Sequence, residues 1–182
     1  QSATGGRLQS YTTTIPKPVI AAINGACAGI GMVQALMCDV RFAAAGAKFT
    51  TAFARRGLIA EYGMSWLLPR LVGTANALDV LLSGRVFLAE EAHQMGMVNG
   101  VVPADQLLAH AVAYASDLAA NVSPTSMKVM KQQVYADTTQ AITESEQRAL
   151  VLMKESLTRV DFKEGVASFM EKRPPQFAPV TR

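Results

Sequence analysis

The stretch NGACAGIGM at residues 24–32 gathers three glycines between the apolar run PVIAAI (18–23) and the apolar stretch MVQALM (32–37). Glycine weakens regular structure by roughly 0.5–1 kcal/mol relative to alanine, so a cluster at one junction marks a sharp turn or a close approach to the backbone. The flanks give the junction its setting. Proline disfavours helix in the residue before it, so IPKP (15–18) leads an extended chain into a buried strand near 19–23. After the glycines, residues 30–38 have helical composition. A strand that runs through a bare turn into a helix is the front of a βαβ-type unit.

The rest of the chain extends this pattern. DVRFAA (39–44) reads as a second strand, and 48–51, after the AAGA turn, as a third. YGMSWLLPRLVG (62–73) is apolar at helical spacing, with Pro69 placed to kink or end it. Helices follow at 74–82 and 89–95, with a strand in MVNGVV (97–102). From Asp105 onward only helices are expected, at 105–120, 123–136, 139–158 and 161–172, the second opened by Ser123 as N-cap before Pro124. Residues 1–12, polar and Gly/Ser-rich, read as a loose lead-in.

Several chemistries are excluded. GIGMVQ lacks the third glycine of a dinucleotide fingerprint, and no acid lies at ribose distance. No GK[ST] offers a P-loop, and GMSWL (63–67) misses the final glycine of a nucleophile elbow, which leaves Ser65 an ordinary helix residue. Glu90 and His93 have ExxH spacing but no second copy, and with only His110 besides, both histidines read as surface or boundary residues and no metal is expected. Cys27 and Cys38 read as reduced core residues of a cytosol-like compartment. No apolar run is long enough to cross a bilayer. The net charge of +3 has no basic run longer than Arg55–Arg56, which makes nucleic acid a poor partner and an anionic small molecule an acceptable one.

Two uses of the glycine junction remain open. Small residues allow tight helix packing. Alternatively, the unpaired amides at a helix start, Ile30 above all, hold an oxyanion that Gly29 and Gly31 allow to approach.

The segment KPVIAAINGACAGIGMVQALMCDVRFAAAGAKFTTAFARRGLIAEYGMSWLLPRLVG (17–73) resembles the centre of the crotonase family, the enoyl-CoA hydratases and isomerases. LLSGRVFLAEEAHQMGMVNGVV (81–102) and EGVASFMEKRPPQF (164–177) extend the resemblance in order and with compatible spacing. It implies an α/β fold: a crotonase-like spiral of ββα turns, partial over 1–102, with a C-terminal helical trimerisation region over 103–182. It also implies an acyl-CoA thioester substrate, no cofactor beyond the coenzyme A of that substrate, and a homotrimer or dimer of trimers in the cytoplasm. In the family two backbone amides hold the thioester oxygen. One falls on Ile30, and the other, with much of the CoA-binding loop, is expected before residue 1.

The resemblance also places the catalytic acids. Typical hydratases use two glutamates, at the positions of Val33 and Phe53 here, and neither residue moves protons. A third family position, eight residues beyond Phe53, carries an acid in several isomerases, and here it is Glu61. Flanked by Ile59, Tyr62, Met64 and Trp66, its carboxylate is expected to be partly desolvated and raised in pKa. The plain alternative is a solvated acid favouring a helix dipole. Phe49, Phe53, Tyr62, Met64 and Trp66 are candidates for the acyl pocket or equally for core, and Phe169 and Lys172 match CoA-contacting positions, although Lys172 reads equally as a solvated helix charge. One base and one oxyanion hole imply double-bond isomerisation. The rivals are hydration and a non-catalytic binding or assembly subunit, of which some relatives touch RNA.

Overall fold

β1 (Ile20–Ile23) enters from the proline-rich lead, and its start is fixed by Asp39, whose carboxylate accepts from the Val19 amide at 2.7 Å. The computed structural model describes residues 8–180, which divide into two units. The first holds residues 8–15 and 19–112; the second holds 16–18 and the chain from 113 onward.

In the first unit, β1, β3 (Val40–Ala44) and β6 (Gly100–Val102) form a parallel sheet with β3 in the middle, Ile23 beside Ala43 and Ala44 beside Val102. A second sheet has β4 (Lys48–Thr50) at its centre. β2 (Cys27–Ala28) runs parallel to it, Ala28 beside Thr50, and β5 (Phe87–Leu88) antiparallel, Phe87 beside Phe49. This second register decides where the site lies. Parallel strands end on the same side and an antiparallel strand begins there, so the chain after β2, the chain after β4 and the chain before β5 meet at one edge.

α1 (Gly29–Leu36) buries Met32, Val33 and Leu36, the i, i+1, i+4 face that packs on the sheets. Phe49 and Phe87 stack with centroids 5.8 Å apart beneath it. α2 (Met64–Ser83) buries Met64, Leu67, Leu68 and Val72 on one face. Its break comes at Gly73 (φ 76°, ψ 161°) and not at Pro69, which keeps helical dihedrals. Proline's fixed φ suits a helix and forfeits one hydrogen bond, whereas only glycine adopts the Gly73 conformation at no steric cost. α3 (Ala89–Gln94) follows β5. The lead-in is not loose over its described part: residues 9–14 form a 3-10 helix, and the buried Thr12 hydroxyl donates to the Met37 carbonyl at 2.8 Å. Residues 1–7 lie outside the described part.

The division between the units falls within α4 (Leu107–Asn121), after Val112, ten residues beyond the sequence-based boundary at 102. The second unit contains α5 (Pro124–Asp137), α6 (Ile142–Thr158) and α7 (Val160–Glu171). Ser123 caps α5, its hydroxyl oxygen accepting from the Ser126 amide at 3.1 Å and its O–H donating to Asp161. Neither α5 nor α6 buries a residue fully, and Met130, Val134, Leu150, Val151, Met153 and Leu157 are exposed.

Candidate active site

At the edge where the three segments meet, the first unit opens into a cavity of about 530 Å³. Ala28, Gly29 and Ile30 come from the end of β2 and the start of α1. Thr50 to Phe53 come from the end of β4, and Gly84 and Val86 from the approach to β5. Two threonines tie the walls together: Thr50 Oγ1 donates to the Gly84 carbonyl at 3.1 Å and buried Thr51 Oγ1 to the Val80 carbonyl at 2.9 Å. The fourth wall is the loop from Arg55 to Tyr62, which carries Glu61.

The start of α1 is bare. Ala28 is the N-cap in extended conformation with no side-chain cap bond, and the first turn holds no acid. Amides of a first helical turn have no acceptor within the helix, so the positive end of α1 faces this cavity uncapped. Gly29 is there for its backbone: φ is +51°, a region that costs other residues about 1–2 kcal/mol. A Cβ at 29 or at 31 would meet nothing within 4 Å. Gly31 does not reach the cavity; it lines a shallower depression with Cys27, Gln34 and Cys38 on another side of α1. Two positions along a helix turn the direction by about 200°, which is why the two glycines separate.

Glu61 lines the same cavity as Ile30. It is half-buried, and among the described residues its carboxylate has no hydrogen-bond or ion-pair partner. Three non-glycine residues have left-handed φ among those described, and two of them, Ala52 (φ 60°) and Tyr62 (φ 53°), line this cavity. Such conformations cost about 1–3 kcal/mol each and gather where a site requires a particular backbone path.

Other sequence-based candidates divide by location. Phe53, 5% exposed, and Tyr62 are on the cavity wall. Met64 and Phe49 are fully buried in the core and do not line it. Trp66 does not line it either; its ring lies 4.2 Å from the Arg70 guanidinium on the outer face of α2. The helical repeat accounts for both, because burial at 64, 67, 68 and 72 turns 66 and 70 outward. Val33, at the position of a hydratase glutamate, is fully buried. Phe169 and Lys172 belong to the second unit, Phe169 82% exposed and Lys172 at the C-cap of α7 with φ 54°.

Cys27 is buried as expected, and burial pushes its thiol up to about 11, which removes it as a nucleophile. Cys38 is only half-buried, its Sγ 3.4 Å from the Gln34 carbonyl. Both histidines are exposed: His93 Nδ1 is 3.0 Å from the Val98 carbonyl and His110 packs edge-on to Phe42. Among the described residues no group of three or more His, Cys, Asp or Glu could hold a metal, and no helix is long and apolar enough to cross a membrane. Sequence reasoning missed Arg55 and Arg56 as cavity residues, although the ARRG motif directly after Phe53 was a signal for them.

The enoyl-CoA hydratase/isomerase family model matches residues 2–179, and the chain belongs to that family. Among its relatives, the 1,2-epoxyphenylacetyl-CoA isomerase of Escherichia coli is 38% identical over 90% of this chain and 62% of its own length. The fold is the crotonase fold: a probable enoyl-CoA hydratase/isomerase from Mycobacterium abscessus superposes with a TM-score of 0.89 at 35% identity, covering 92% of this chain and 68% of that one. An enoyl-CoA hydratase from Mycobacterium marinum is 63% identical over 75% of this chain and 69% of its own, with a TM-score of 0.68. The chain spans about three fifths of the length of the curated relatives it matches, at 58%, 62% and 60%.

Proposed function

We propose that the protein shifts a carbon–carbon double bond in an acyl-CoA thioester, converting 3-enoyl-CoA to 2-enoyl-CoA. The observation that carries this reading is that Glu61 and the bare helix start at Ile30 line one cavity, with the half-buried carboxylate free of partners among the described residues. The thioester oxygen sits against the Ile30 amide. Glu61 takes a proton from the carbon next to the thioester carbonyl, the electron pair moves onto that oxygen as an enolate, and the resulting acid returns the proton two carbons further along. A single base suffices because the proton leaves and re-enters on one face. No cofactor or metal is required beyond the substrate's own coenzyme A.

Hydration is the second reading, favoured by relatives named as hydratases. It needs a pair of groups to position and deprotonate water, and the positions that resemble the hydratase glutamates hold buried Val33 and Phe53. The exposed apolar faces of α5 and α6 support assembly into a homotrimer or dimer of trimers. Free Cys27 and Cys38 support a reducing, cytosol-like compartment.

The experiment offers 3-enoyl-CoA and 2-enoyl-CoA separately to the complete natural protein and identifies products by mass. A product of unchanged mass with a conjugated thioester from the first substrate supports isomerisation. Water addition to the second, with no double-bond shift in the first, replaces it by hydration.

A further inference from the structure

The cavity holds more positive charge than an enolate needs. Arg55 and Arg56 both line it, and neither meets a carboxylate among the described residues. Among the described residues the only acid on its walls is Glu61. Both residues are exposed, yet each guanidinium is anchored to a backbone carbonyl. Arg55 Nε donates to the Ser83 carbonyl at 2.8 Å, which leaves its two terminal nitrogens as a fork. The stem of Arg55 runs so close to Gly84 that a Cβ there would stand 3.1 Å from Arg55 Cγ, so the absence of a side chain at 84 makes room for this pose. Arg56 Nη1 donates to the carbonyl of Ala52, itself a strained wall residue, at 3.2 Å. Two neighbouring cations held by backbone carbonyls in one concavity, with their outer N–H groups unmatched, are arranged for an anion with paired oxygens.

We propose that Arg55 and Arg56 form a subsite for a carboxylate carried at the far end of the acyl chain. The ligand class is then a CoA thioester of a dicarboxylic acid. The inference rests on the thioester reading above. Coenzyme A phosphates offer similar chemistry, but the two arginines line the same cavity of about 530 Å³ as Ile30 and Glu61, so a charge at the end of the acyl chain enters the space they share with the reacting end. The apolar contacts of Leu58 and Val86 on the same walls suit the methylenes between the two ends.

The test measures binding by calorimetry on the complete natural protein, with saturated thioesters so that turnover plays no part. The probes are glutaryl-CoA, its methyl ester, and glutaryl-pantetheine, which lacks the nucleotide and its phosphates. Glutaryl-CoA is expected to bind at least about tenfold more tightly than the ester, equivalent to about 1.4 kcal/mol. That preference should collapse in Arg55→Met and in Arg56→Met. Arg56 bonds only within its own turn of chain, so its variant remains informative if the loss of Arg55 disturbs the fold. Equal affinity for acid and ester, or a preference that survives both substitutions, overturns the subsite and leaves the thioester reading standing. Weakening of both CoA thioesters with glutaryl-pantetheine unaffected would assign the arginines to a phosphate and also overturn it. Failure of every thioester to bind would remove the thioester reading and the subsite together.

Discussion

Replacing Glu61 with glutamine keeps the shape of the side chain and removes its proton-accepting charge. The structure allows the two consequences to be separated. The Glu61 carboxylate has no partner among the described residues, and its main-chain carbonyl, which accepts from Met64 N at 3.0 Å to start α2, is untouched by the change. No cavity, orphaned charge or lost cap results, so stability should change by no more than about 0.5 kcal/mol. Activity should respond very differently. A positioned general base contributes about 10²–10⁴-fold, which corresponds to about 2.7–5.5 kcal/mol of barrier. The proton moves only in the transition state, so kcat should carry the loss and KM should change little. The assay follows the conjugated thioester absorbance formed from 3-hexenoyl-CoA, with thermal unfolding measured on the same preparations. A folded Glu61→Gln protein whose kcat stays within about threefold of the parent would refute the assignment, since the amide cannot accept the proton at neutral pH.

Three other outcomes follow from particular contacts. Gly29→Ala should destabilise the chain by about 1–2 kcal/mol through its φ of +51°, whereas Gly31→Ala, with open space and ordinary helical φ, should stabilise it by about 0.5–1 kcal/mol; urea unfolding of both checks the pair. Ser123→Ala removes the α5 N-cap and should lower stability by about 0.5–2 kcal/mol, read as a fall in the urea midpoint with unchanged slope. The Arg173 guanidinium, with the Gln176 amide second, holds the Glu164 carboxyl down at about 2 in the folded chain. Unfolded glutamate titrates near ~4.3, so below about pH 5 the unfolded chain binds the extra proton and this contribution is progressively lost until the pH falls below about 2. Stability followed by the helical signal should therefore fall as the pH drops from about 5 to about 2, and Glu164→Gln should flatten that part of the pH dependence.

What the sequence discloses here depends on how many residues share a physical signal. β1 and β3 were legible as mainly apolar runs and β4 by its place after the AAGA turn, and the helices from 105 onward because 3.6-residue periodicity repeats over several turns. β2 and β5 were not, because a two-residue strand has no period; each exists only because Phe49 of β4 pairs on both sides. Yet it is these two short strands that make the site. Their register carries Gly29–Ile30 and Gly84–Val86 to the same edge as Thr50–Phe53, and the next eight residues then bring Glu61 across. Ile30 and Glu61 could be named beforehand only through the resemblance, since nothing in the 30 intervening positions says that they meet. Arg55 was visible as half of a basic pair, but its meaning depends on the Ser83 carbonyl and on the missing side chain at Gly84, both contributed by a segment 28 residues later. A bulky residue at 84 would therefore be expected to alter the acyl preference without touching Glu61, which places selectivity and proton transfer on separate segments around the same small sheet.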